Sequence, residues 1–372
     1  DIRARLGEEL VPDLELVAKA YKNFRSQYRR TALLEHTETD LAIYFTDWML
    51  FCRDYGYGVP DYFQYDFYRK EPEARATFMS NGYRSYVKKV CNTDTMLFMN
   101  KGRFNSYFAP YINRKWIDIT NCTREQFDEF IAGRERFFAK PITGTGGAGA
   151  CIVETASMEP DKLYEYCREQ GFIMEDVVRQ HPIMAAFNKD TVNTLRLYTL
   201  VDANDEPGIT AALARFRRVG GCVDNFHSGG VGVLVDVDTG VVYTDAVDIL
   251  GTHYDYHPDS GLPFKGFKIP EWEKLAEQVK QGAVLGAKIN RHTGWDIAIT
   301  EDGNIEIIEG NSRPNFDLIQ ATDQVGKLYR YEEKIDELAK KLGVEPYDFP
   351  NIRVNTAGME RKVIEREHIT AP

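Results

Sequence analysis

One stretch of twenty residues, WDIAITEDGNIEIIEGNSRP (295–314), constrains the chain more than any other. Two runs of alternating apolar residues flank Asp302-Gly303-Asn304, a tight-turn signal, so the segment reads as a β-hairpin. Strand alternation places Ile305, Ile307 and Glu309 on one face, which sets a carboxylate in line with core residues. In the first strand Asp296 points away from Trp295 and Ile297, beside Ala298 and Thr300. A carboxylate on a buried face is costly unless something positive compensates it. Glu309-x-Asn311 offers two oxygens on one side of an extended chain, and Mg²⁺ is the hard cation that accepts a few carboxylate oxygens together with phosphate oxygens. Asp296, Glu309 and Asn311 are therefore candidate metal ligands. A hairpin whose Asp and Glu were merely salt-bridged would show the same letters.

Upstream, FFAKPITGTGGAGACIVE (137–154) is the second chemical signal. Glycines at 144, 146, 147 and 149 let backbone N–H groups approach phosphate oxygens, and the strand before them ends in Lys140, a fixed positive charge. No GK[ST] follows, so this is no Walker loop, and no long helix begins here, so it is no dinucleotide fingerprint. A lid over phosphates fits, with a glycine-rich hairpin turn as the plain alternative. FIMEDVVRQHPIM (172–184) is a strand that turns polar at Glu175 and Asp176 and runs into a proline, an edge able to offer backbone groups to a flat ring.

The rest of the chain falls into zones. Residues 1–99 repeat apolar positions at helical spacing, as in Leu14, Val17, Ala18, Tyr21 and Leu41, Tyr44, Trp48, Phe51. Their densest part, GYGVPDYFQYDFY (56–68), reads as helix-packing core, with a substrate-binding wall as the other option. Residues 100–174 alternate short strands with helices; Thr123 with Gln126 makes a capping box, and Gly133 and Gly171 stand where helices stop. Residues 175–345 carry strand after strand broken by DANDEPG, DVDTG and EDGN, which implies a mainly antiparallel sheet, interrupted by a helix at 271–292 and closed by one at 324–342. Residues 346–372 form a tail. The expected fold class is α+β.

Composition narrows function by exclusion. A net charge of −11 argues against a surface built for nucleic acid or anionic lipid. No run of about eighteen apolar residues occurs and the first residues are charged, so the expectation is a soluble, cytoplasmic protein without a membrane span. The six cysteines lie far apart with no CxxC pair, which reads as reduced thiols, most of them buried.

Taken in order, Lys101 in NKGRF, Lys140 in FAKP, the GTGGAG loop, MEDVV, Asp296 and Glu309-x-Asn311 resemble the ATP-grasp superfamily. QHP (180–182), NTLRLYT (193–199), RFRRVGGCVDNFHSGGVGVLVD (215–236) and EGNSRPNFDLIQ (309–320) are similar more narrowly to its sugar-transfer-associated branch. The resemblance covers about Asn100 to Gln320 and implies an ATP-grasp fold, two α+β subdomains clasping ATP behind a mainly helical N-terminal region. It implies that Lys101 and Lys140 contact the α and β phosphates while Gly144, Gly146 and Gly147 close over them. Main chain from Glu175 through Asp176 to Val178 would hold adenine, with His181 or Glu175 bonding ribose or base. Asp296, Glu309 and Asn311 match the metal positions, for two Mg²⁺ ions.

Arg196 and Arg215 are candidates for the γ-phosphate and the charge that develops on it. Asn225, His227, Ser228 and Gly229-Gly230 read as a substrate-side turn near the phosphates. His253 and His257 stand four apart in a turn-rich stretch, which does not favour a metal site. The implied activity is carboxylate activation as an acyl phosphate for attack by an amine or thiol, on small-molecule substrates; a kinase on the same cleft is the alternative, and a nucleotide-binding subunit without turnover the third.

Overall fold

The computed structural model describes residues 11–31, 37–52, 55–144, 148–218, 230–248 and 251–348. Helices come first: α1 (Val11–Thr31), α2 (Glu38–Phe51), α3 (Val59–Gln64), α4 (Pro72–Ala76), α5 (Asn81–Cys91), α6 (Met96–Met99) and α7 (Lys101–Tyr107). Thr37 and Asp40 form a capping box that starts α2, and Ser80 caps α5 by accepting the Tyr83 N–H. The aromatic run 56–68 delivers Tyr57, Tyr62, Phe63, Tyr65, Phe67 and Tyr68 to a core that includes Phe24 and Phe45, so it packs helices as expected. Inside it, Arg75 and Asp47 form a buried bidentate pair.

Next comes a four-stranded sheet with two helices on it: β1 (Trp116–Asp118), α8 (Arg124–Ile131), β2 (Arg136–Pro141), β3 (Cys151–Glu154), α9 (Pro160–Gln170) and β4 (Phe172–Glu175). Strand order is β1-β4-β2-β3, antiparallel throughout. The Thr123/Gln126 capping box opens α8, and Gly171, with φ 60°, ends α9. Phe127, Phe137, Leu163 and Met174 fill the space between helices and sheet.

After α10 (Pro182–Ala185) the chain builds an antiparallel sheet in the order β11-β10-β5-β6-β7-β8-β9, from β5 (Thr194–Val201), β6 (Pro207–Arg217), β7 (Gly230–Val235), β8 (Ala246–Val247), β9 (His253–Tyr254), β10 (His292–Ile299) and β11 (Ile305–Asn311). One face packs Leu195, Leu197, Trp295 and Ile297 against α11 (Trp272–Gly286) through Trp272, Leu275 and Val279. The other face is divided. At one end Tyr198, Leu200 and Leu213 are covered by α5, α12 (Asp317–Ala321) and α13 (Glu332–Leu342). At the other end the same face carries Arg196, Arg215 and Asp296, which makes it the place where charge collects.

Several expected elements are shorter. The helix expected at 271–292 stops at Gly286, because Ala287 N–H turns to the Val284 carbonyl and His292 already starts β10. The last helix begins at Glu332 rather than about 324: Leu328 N–H is held by the Thr77 carbonyl, and Gly326 presses on Thr77 with no room for a side chain. VVYTDAV (241–247) forms only the short β8, with single bridges at Val241 and Val242. Of the five described cysteines, Cys52, Cys91 and Cys167 are buried, and no disulfide joins any of the five; Cys222 lies outside the described residues. Among the described residues no helix is long and apolar enough to cross a membrane.

Candidate active site

The β10–β11 hairpin does not keep simple alternation. Asp296 pairs with Glu309, yet the next residue, Ile297, pairs with Ile307, so Ile308 is an extra residue that bulges from the ladder. Ile305 and Ile307 still face the core, as the sequence suggests, but the bulge turns Glu309 onto the opposite face. This corrects the expectation that Glu309 lies in line with Ile305 and Ile307. Glu309, together with Asn311 opposite Gly294, therefore shares the face of Asp296. Gly310 lets this strand lie against α7: a Cβ there would fall 2.6 Å from the Phe104 ring and 2.8 Å from that of Phe98.

Neighbouring strands bring arginines to the same face. Arg196 pairs with Asp296 across β5 and grips it with Nε and, at 2.7 Å, Nη2. Arg215, opposite Thr194, donates to the Thr194 hydroxyl and reaches Asp296 Oδ1 at 3.1 Å. Burial alone pushes the Asp296 carboxyl up, but the two guanidiniums more than reverse this and hold it well below the usual range. Glu309 moves the other way: burial and the adjacent Asp296 charge raise it, and Lys140 and Arg196 only partly oppose this. Asn311 Nδ2 is buried without a hydrogen-bond partner.

The small sheet supplies the lysines. Lys140, in β2 and opposite Ile173, is buried and pairs with Glu175 Oε2 at 2.9 Å. Lys101, the first residue of α7, donates from Nζ to the carbonyls of Pro141 (3.0 Å) and Gly144 (3.1 Å). Burial lowers its pKa, with Glu309, Lys140 and Glu175 all in its field. Gly144 has φ 118° and Gly149 φ 75°, a conformation other residues rarely adopt, while Gly146 and Gly147 lie outside the described residues.

A buried ion network that the sequence did not announce joins the two sheets. Glu175 accepts from Arg114 (2.9 Å), Lys140 and Asn105 Nδ2 (3.1 Å). Despite the upward push of burial, Arg114 and Lys140 bring Glu175 down to about 2. With three donors on it, this carboxylate fixes Lys140. Arg114 also binds Glu306 Oε1 (2.5 Å) and the carbonyls of Ile307 (2.7 Å) and Ile308 (3.1 Å), so it clamps the bulge itself.

Arg114 sits in a polar stretch with no periodic signal. Glu306, alternating between Ile305 and Ile307, could have been found. Asp176 accepts from Arg134 (2.8 Å) and the Lys115 N–H (3.0 Å), bracing β1 on β4. Val178 is half-buried, and His181 bonds Ile299 O through its N–H (2.8 Å) and caps α10 with Nδ1.

The sequence-selected residues thus converge, with Lys101, Lys140, Glu175, Arg196, Arg215, Asp296, Glu309 and Asn311 around one water-poor face. Asn225, His227, Ser228 and Gly229 lie outside the described residues. His253 and His257 do not form a metal site: His257 is buried, its Nε2 bonds the Arg217 carbonyl at 3.0 Å and its Nδ1 accepts from the Asp259 and Ser260 N–H groups. A surface groove of about 1270 Å³ along β1 and α7 shares only Arg114 with the charged cluster, so size does not mark the site.

The family model for sugar-transfer associated ATP-grasp proteins matches residues 109–336. The chain belongs to the sugar-transfer associated ATP-grasp family. Its α+β architecture is accordingly an ATP-grasp fold behind a mainly helical N-terminal region. Among solved structures, this ATP-grasp chain is similar to the ATP-grasp ligase PsnB complexed with minimal precursor, at 16% identity over 68% of this chain and 64% of that one, TM-score 0.41. It is also similar to purK, N5-carboxyaminoimidazole ribonucleotide synthetase, in an ADP complex (14%, 60% and 46%, TM-score 0.38) and to the D-alanine-D-alanine ligase from Coxiella burnetii (9%, 66% and 56%, TM-score 0.36). The chain spans between 46% and 64% of the length of these three proteins. No curated protein matches it.

Proposed function

We propose that the chain is an ATP- and Mg²⁺-dependent ligase that activates a carboxylate as an acyl phosphate, releasing ADP, for attack by an amine. The observation that carries this reading is the set of two facing carboxyls, an asparagine amide, two lysines and two arginines on one dry face. Phosphoryl chemistry of this kind asks the protein for positioning and electrostatics rather than covalent help.

Asp296, Glu309 and Asn311 suit Mg²⁺. The Asp296 and Glu309 carboxyls stand opposite each other, their mutual repulsion raises Glu309, and a divalent cation between them, with Asn311 Oδ1 as a further oxygen, would relieve it. Bound there, the metal would offset charge on the ATP phosphates. Lys101 and Lys140 would hold the α and β phosphates, the 143–150 loop would close over them, and main chain at Glu175 to Val178 with His181 would receive adenine and ribose. Arg196 and Arg215 would turn from Asp296 to the γ-phosphate. A carboxylate oxygen attacks that phosphorus as ADP leaves; the amine nitrogen then attacks the acyl carbon, loses its proton, and phosphate departs. Asn225 is proposed on the substrate side. In this scheme residues 100–174 act as lid and 175–345 as catalytic half.

Hydroxylamine supplied with ATP, Mg²⁺ and a panel of amino and sugar acids tests it. A trapped hydroxamate formed with ADP supports the acyl phosphate. A stable phosphomonoester, the kinase outcome, overturns the ligase reading.

A further inference from the structure

A cavity of about 150 Å³ separates the helical region from the segment that follows Asn311. Asp61 of α3 and Asn81 and Arg84 of α5 line one side; Asn315, Phe316 and Asp317 line the other. Its volume is that of roughly five waters, enough for a ligand of about six to eight heavy atoms.

Arg84 is the unusual wall. Its Nε is sealed from water with no hydrogen-bond partner, and among the described residues no carboxylate lies within ion-pair distance of its guanidinium. Burial and the nearby Arg313 both work against its charge, and Asp317 and Asp61 only partly offset them. Arg313 donates to Ser85 Oγ at 2.9 Å. A guanidinium on a cavity wall, with a second one in its field, makes a receptor for a carboxylate, whose two oxygens match the planar fork.

Negative charge faces them. Asp61 Oδ2 accepts from the Gly58 N–H at 2.7 Å and Asn81 Nδ2 at 3.2 Å, and Asp317 stands close enough to join Asp61 in acting on Tyr65. Burial, with Asp317 adding to it, pushes the Asp61 carboxyl up to about 6 although the Gly58 N–H, Arg84 and Asn81 pull it down. The cavity also adjoins the reacting face. The Asn315 carbonyl accepts from the Tyr198 hydroxyl at 2.8 Å, and Tyr198 lies two residues along β5 from Arg196, on the same side.

We propose that this cavity binds a molecule with both a carboxylate and an amine, a free amino acid, its carboxylate at Arg84 and its amine toward Asp61 and Asp317. Its role as a substrate subsite rests on the ligase reading. Binding itself does not.

The test is calorimetry on the full chain with glycine, L-alanine and L-serine, set against N-acetyl-L-alanine, L-alaninamide and inorganic phosphate. The free amino acids bind, and blocking either end lowers affinity at least tenfold. Arg84→Gln lowers L-alanine affinity at least tenfold while an ATP analogue with Mg²⁺ binds as before, which also reports that the variant is folded. Arg84→Lys, which keeps the charge and loses the fork, gives a smaller loss and serves if the glutamine variant does not fold. The proposal is overturned if no free amino acid binds, if the blocked forms or phosphate bind as well as or better than L-alanine, or if the Arg84 variants bind L-alanine unchanged. Failure of the ligase reading shows separately, as absence of hydroxamate with amino-acid binding intact.

Discussion

Asp296 and Glu309 stand directly opposite each other on β10 and β11, and the extra residue Ile308 is what puts both carboxyls on the same face. One of them, Asp296, is held ionised by Arg196 and Arg215, while the other is pushed toward its protonated form. Glu309→Gln keeps the shape and removes a charged ligand, so ATP turnover should fall by orders of magnitude with the melting temperature little changed. Near-normal turnover in that variant would sink the metal assignment.

Lys140 is buried, pairs with Glu175 and stands in the field of Glu309. Lys140→Ala should weaken binding of an ATP analogue by about ten- to over a hundred-fold, the equivalent of roughly 1.5–3 kcal/mol for a charged hydrogen bond. Calorimetry showing unchanged affinity would place the phosphates elsewhere.

Arg114 satisfies two buried carboxylates and two carbonyls of the bulge. Arg114→Met leaves Glu175 and Glu306 buried without that partner, and removal of one member of a buried ion pair destabilises by about 3–5 kcal/mol. Urea unfolding should show a loss of this size. A loss below about 1 kcal/mol would mean the clamp does not hold the sheets together.

Glu175 gives the fold a defined acid sensitivity. Its folded-state pKa is depressed to about 2 from the ordinary 4.5, so its contribution is fully present above the ordinary value and is lost as pH falls toward 2. The shift is worth on the order of 3 kcal/mol. Unfolding midpoints should drop between about pH 5 and about pH 3 more steeply in the native chain than in Glu175→Gln. Parallel slopes would contradict the assignment.

Local signals in the sequence carried over well. The Thr123/Gln126 cap and the stop at Gly171 are decided by neighbours within a few residues, and they are where the letters put them. What failed was anything set by distant partners. The face of Glu309 depends on a bulge whose carbonyls are held by Arg114, some 190 residues away in the chain, and alternation assumes an unbroken ladder. The start of α13 depends on Thr77. The candidate residues themselves were legible, because charged side chains on strands that also feed a core stand out. Their present partners were not.

The central claim is that ATP phosphates and Mg²⁺ meet at Asp296, Glu309 and Asn311. Calorimetry of a non-hydrolysable ATP analogue, with Mg²⁺ and with EDTA, on the native chain and on Asp296→Asn tests it most directly. The account predicts tight binding only with Mg²⁺ in the native chain, and a binding curve in Asp296→Asn that shifts to higher Mg²⁺ concentration. Binding to the native chain that is equally strong in EDTA, or a Mg²⁺ dependence untouched by Asp296→Asn, would contradict it.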